Sequence, residues 1–154
     1  MGLERAAMEG PGGGADFASV ITALAGKAGL KVVKKTADMV VVPFDMGEGR
    51  KQNVFVSFLG LDAAKQNIVS VFSPALKLAQ GQEVGAKTAN DLLRRTAKLA
   101  RGAWAIITIG GDDYLGCLET LALETMQPEE LKYACFGTSA TADDLEKSLG
   151  VDSF

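Results

Sequence analysis

Residues 39–73 read MVVVPFDMGEGRKQNVFVSFLGLDAAKQNIVSVFS. Three runs in this stretch, Met39 to Phe44, Asn53 to Leu59 and Asn67 to Ser73, concentrate Val, Ile and Phe, and turn-forming residues separate them. That pattern predicts three strands joined as an antiparallel meander. Gly47 and Gly49, with Glu48 and Arg50, form the first turn, and Gly60 to Lys65 the second. Pro43 lacks a ladder donor, which puts the first strand at an edge or ends its pairing there. In the second strand Val54, Val56 and Phe58 share one face, while Phe55 and Leu59 share the other with Asn53 and Ser57, so both faces are at least half covered. One face is expected to take helices. The other is a candidate for a partner or a second copy of the chain.

Working upstream, Asp16 precedes Phe17, Val20, Ile21, Leu24, Ala25 and Ala28, an apolar stripe at helical spacing that stops at Gly29. Before it, Gly10 to Gly14 read Gly-Pro-Gly-Gly-Gly with no Lys-Ser or Lys-Thr after them, so no phosphate loop is formed and residues 1–15 are expected to be a flexible leader to a single domain over 16–154. Downstream, the spacing predicts a helix over 86–101, with Ala89, Leu92, Leu93, Thr96, Ala97 and Ala100 on one face and Lys87, Asp91, Arg94, Lys98 and Arg101 on the other. Gly102 closes that helix. Ala103 to Ile109 and Tyr114 to Leu123 then read as strands joined by a tight turn at Gly110 to Asp113. The tail predicts two short helical pieces, one after Pro128 and one from Thr141, where Thr141 and Asp144 resemble a capping box, and Gly150 ends the second. The order helix, three strands, helix, two strands, helix describes an α+β domain on a single antiparallel sheet.

Composition sets the chemistry that such a domain can carry. With 154 residues, 47% of them apolar and 23% charged, the chain can bury a core without disulfides or structural metals. It contains no histidine, which removes the usual base for a Ser or Cys nucleophile and the commonest metal ligand. Cys117 and Cys135 form no CxxC pair, so a zinc site or a dithiol redox pair is not expected, and two buried reduced thiols are. No stretch has the apolar length of a signal peptide core or a membrane span, and a cytoplasmic protein without cofactors is the expectation. The net charge of −3 conceals a division between residues 1–101, at +5, and residues 102–154, at −8.

Four features compete for function. Gly111-Asp112-Asp113 lies between two apolar strands, and adjacent carboxylates at a turn can bind a hard cation; a metal-dependent hydrolase built on Asp112 and Asp113 is the enzymatic alternative, yet a polar hairpin turn accounts for the same residues. Asp91 and Glu119 are the other acids nearest the sheet and middle helix. Lys87, Arg94, Lys98 and Arg101 form a basic stripe that could bind a phosphate backbone weakly or face a protein partner, although aromatics at 6% supply few stacking platforms for nucleic acid. Phe55, Leu59, Ile68 and Phe72 would leave an apolar patch on the less buried sheet face, which predicts a homodimer interface or a surface for another protein or extended peptide segment.

The span from residue 16 to 150 also carries a family resemblance, most of all from Thr88 to Leu149: a helix with Asn90, Leu92 and Leu93, the strand Ala103 to Ile109, an acidic hairpin, the strand Tyr114 to Leu123, then Pro128-Glu129-Glu130-Leu131 and a final Asp144-Leu145. This arrangement resembles the YbjN-like family of bacterial sensory transduction regulators, within the type III secretion chaperone-like fold. The resemblance implies a dimer-forming domain with no catalytic residues, and secretion chaperones of that fold capture an extended segment of another protein along apolar grooves. One fold hosts unrelated functions, so the activity is carried over by analogy.

Overall fold

A computed structural model describes residues 16–150. The expected leader over 1–15 and the last four residues of the expected domain lie outside the described residues. In chain order the elements are α1 (Phe17–Lys27), β1 (Lys34–Lys35), β2 (Met39–Gly47), β3 (Arg50–Leu61), β4 (Asn67–Leu78), α2 (Ala86–Thr96), β5 (Ala103–Ile109), β6 (Asp112–Ala122) and α3 (Pro128–Leu149). One six-stranded sheet runs β1-β2-β3-β4-β6-β5, antiparallel at every pairing. The α+β class, the meander and the order of the main elements agree with the sequence. The exposed pair Lys34 and Lys35 adds a two-residue edge strand against Val41 and Val40. Because β1 reaches no further along β2, Pro43 stands where β2 is itself an edge, although it keeps its place opposite Asn53.

Two helices depart from expectation. α2 stops at Thr96 instead of continuing to Arg101. The Thr96 hydroxyl accepts the Trp104 backbone N–H at 3.1 Å, and the chain between them closes into turns from Arg95 and Thr96 to Lys98 and Leu99. Lys98 and Arg101 therefore leave the helical face predicted for them. The tail is one helix rather than two, and Thr141 sits in its interior. Its capping box is made by Gln127 and Glu130, with Pro128 opening the first turn. The hydroxyl run that looked like a break is satisfied locally, since Thr138 Oγ1 donates to the Ala134 carbonyl and Ser139 Oγ to that of Phe136. At the other end of the domain, Asp16 caps α1 by accepting the Ser19 N–H at 2.7 Å, and Gly29 takes the left-handed conformation that ends it.

α1 and α3 cover one face of the sheet. Val40, Val42, Val54, Val56, Val69 and Val71 meet Ile21, Leu131, Ala134 and Cys135 in the main core, an assembly of β-branched strand residues against small and branched helix residues. A smaller cluster joins Leu92 of α2 to Ala75, Leu115, Ala142 and Leu145, with Trp104 packed on it. Among the described residues no helix lies over the opposite face of the sheet.

Candidate functional site

That uncovered face is concave. Phe55, Ser57 and Leu59 of β3, Ser70 and Phe72 of β4, and Ile107 to Gly110 at the end of β5 line one cavity of about 640 Å³. β5 is separated from β4 by β6, so residues of both can line the same space only if the sheet curls toward this side, as twisted sheets do. Bulges at Phe58–Gly60 and Pro74–Leu76 add to the bend. The centre of the trough depends on Gly116, over which the Phe72 ring lies: a Cβ there would stand 2.6 Å and 2.8 Å from two ring carbons. Phe72 is only 1% exposed and forms a floor, whereas Leu59 at the rim is 50% exposed. Phe55 and Ile68 are half-buried. Of the four apolar residues singled out from sequence, Phe55, Leu59 and Phe72 line the cavity, and Ile68 follows Phe72 along the same face of β4. Among the described residues Asp38 is the one titratable residue in the lining. The trough offers apolar contact with two serine hydroxyls.

The polar candidates are dispersed. Lys87 and Arg94 are exposed on α2, and Arg94 pairs with Asp91 at 3.7 Å. Lys98 is exposed in the turn after α2. Arg101 is held by Glu119 of β6 at 2.7 Å, and that hydrogen bond raises its already high pKa. Asp112 pairs with Lys77 of β4 at 2.7 Å, and Asp113 accepts the Thr108 hydroxyl at 2.6 Å, so each carboxylate of the hairpin is tied to its own neighbour. Among the described residues no three His, Cys, Asp or Glu side chains are grouped to hold a metal ion. Cys117 and Cys135 are free and buried, and burial pushes their thiols up to about 11 and about 12 respectively, far from the thiolate that reacts.

A buried polar network went unread in the sequence. Arg50 and Gln52, at the start of β3, face Asp143 and Glu146 of α3. Arg50 Nε donates to Asp143 Oδ1 at 2.7 Å and its Nη2 lies 3.6 Å from Glu146 Oε2. Gln52 donates to Glu146 and accepts from Ser73 Oγ at 2.9 Å, and Lys147 closes on Asp143 at 2.9 Å. Burial would raise the Asp143 carboxyl, but hydrogen bonds from Lys147 and Arg50 outweigh it and hold the carboxyl below its ordinary 3.8. Its stabilisation is fully present above that value and is lost as pH falls through the lower folded-state pKa. The melting temperature should drop across this acid range, and Asp143→Asn should flatten that part of the profile. Identical wild-type and variant profiles in thermal melts between about pH 2 and 6 would refute the assignment.

Together the fold and its trough define an α+β domain that buries one sheet face under two helices and presents the other. No protein-family model matches the chain, and no curated protein matches it. Among the described residues no helix is long and apolar enough to cross a membrane.

Proposed function

We propose that the protein is a non-enzymatic protein-binding or regulatory module, a chaperone-like homodimer that engages another protein through its sheet or middle helix. The observation that carries this reading is the apolar trough, whose described lining presents aromatic and branched residues with Asp38 as its one titratable group. The likeness to the secretion chaperone-like fold supports it by analogy. In this reading a second copy occupies the trough, two like apolar faces meeting around a two-fold axis.

Light scattering and sedimentation at micromolar concentration test the dimer. Leu59→Glu places a charge on the half-exposed rim, so it should leave the fold intact and weaken association by roughly 30-fold or more, the cost of losing an interface anchor worth about 2 kcal/mol. A wild-type protein that stays monomeric at every accessible concentration, low salt included, would remove the dimer.

A further inference from the structure

β5 is a sheet edge whose pairing side is only partly closed. The Trp104 N–H points away from β6, since it is taken by the Thr96 hydroxyl at 3.1 Å. Alternate residues of an antiparallel ladder turn their backbone groups the same way, so Ile106 and Thr108 also present N–H and C=O outward. Beside them lies a groove of about 190 Å³ between α2 and β5, bounded by Val84, Ala89, Leu93, Trp104 and Ile106. Leu93 and Ile106 are 64% and 50% exposed. The Trp104 indole N–H, in the wall of this groove, is the one buried side-chain polar atom among the described residues with no partner.

Charge selects the occupant. At about 100° per helical residue, Lys87 and Arg94 fall about 100–120° round α2 from Leu93, on the side away from buried Leu92. Passing outward from the core one therefore meets Leu92, then the apolar groove, then a basic rim. Within α2 only Asp91 opposes Lys87, Arg94 and Arg95, and an exposed pair of that kind neutralises little. A second copy docked edge to edge would bring two such cationic helices together.

We propose that the β5 edge and the α2 groove bind an extended segment of another protein that carries branched or aromatic residues and acidic ones on the same face, at every second position. The segment adds a seventh strand at Ile106 and Thr108, sets an apolar side chain against Leu93 and Ile106, and brings the carboxylates two positions away on that same face toward Lys87 and Arg94. The inference rests on the protein-binding reading above and names a surface and a chemistry for it.

Selection of ten-residue peptides from a displayed random library on the immobilised full chain tests it. Enriched sequences should carry apolar residues and Asp or Glu two positions apart, on one face of the strand, and their binding should weaken as salt screens the rim. Thr108→Pro removes an outward N–H, a change an edge strand tolerates, and should reduce binding of the selected peptides roughly tenfold or more, as should Leu93→Glu with Ile106→Glu. Lys87→Glu with Arg94→Glu alters exposed charges only; circular dichroism should be unchanged while binding falls. Enriched peptides that bind these variants as well as wild type, but lose binding to Leu59→Glu, would overturn the edge and leave the protein-binding reading standing. No enrichment on any form would overturn both. Loss of the dimer in the Leu93→Glu/Ile106→Glu protein would make this edge a self-interface and overturn the peptide proposal.

Discussion

Replacing Gly116 by alanine is expected to lower stability by at least about 3 kcal/mol, with a fall in Tm of roughly 10 °C for a chain of this size. One methyl group has this effect because there is no space for it. A Cβ at Gly116 would lie 2.2 Å from the Ser73 carbonyl oxygen, in addition to its contacts with the Phe72 ring. Backbone cannot be displaced there without disturbing the β4–β6 pairing, in which Gly116 stands opposite Pro74. The strain is one of volume, because Gly116 does not have a positive φ. Gly137→Ala provides the opposite sign: that glycine lies inside α3 with nothing within 4 Å of a Cβ, so alanine should stabilise by up to about 1 kcal/mol. Chemical denaturation of the two variants beside the wild type measures both effects. Equal stabilities would show that the Phe72 ring and the Ser73 carbonyl are free to yield.

Arg50→Met should cost about 3–5 kcal/mol, the range found when one partner of a buried ion pair is deleted. The side chains of Asp143 and Glu146 are 2% and 0% exposed, so removing the guanidinium deprives two carboxylates held out of water of the cation they share. Replacing the cluster together, as Arg50→Met with Asp143→Leu and Glu146→Met, should recover most of the loss, because the desolvation of all three charges disappears with them. Guanidinium unfolding midpoints decide the matter. A single variant as stable as the wild type would show that the network contributes nothing net.

What was legible in the sequence was local. The caps of α1 and the turn at Gly47–Gly49 are set by residues within a few positions of one another and stand where the sequence puts them, whereas the turn expected over Gly110–Asp113 is shorter, since Asp112 and Asp113 already pair with β5. α2 was overextended because Ala97 and Ala100 continue its apolar period, while the signal that ends it, the bond from Trp104 to Thr96, forms only once β5 docks. α3 was divided because Gly137 to Thr141 read as turn formers; their small side chains instead let the helix lie close to β4. The trough was anticipated through the alternation of Phe55, Ser57 and Leu59. Its curvature was not, since that depends on bulges and on Gly116 accepting an aromatic ring. The Arg50 network was missed for a plainer reason. Asp143 and Glu146 have the spacing of a solvated helix face, and their partners are 93 and 94 residues away.

That last separation has a consequence during synthesis. The meander β2–β4 is complete when Leu78 has been made, and of the two described helices that cover Val40, Val42, Val54, Val56, Val69 and Val71, α1 alone has then been made. α3, which fills the remainder of the main core and closes the charge network, cannot dock until Leu149 has cleared the ribosome tunnel. For about 70 codons, several seconds at bacterial or slower elongation rates, the nascent chain carries an apolar sheet face to the cytosol or to whatever factor waits at the tunnel exit. A message broken or stalled anywhere between β4 and Pro128 would release that face permanently uncovered, a species fit for proteolysis or aggregation and not for function.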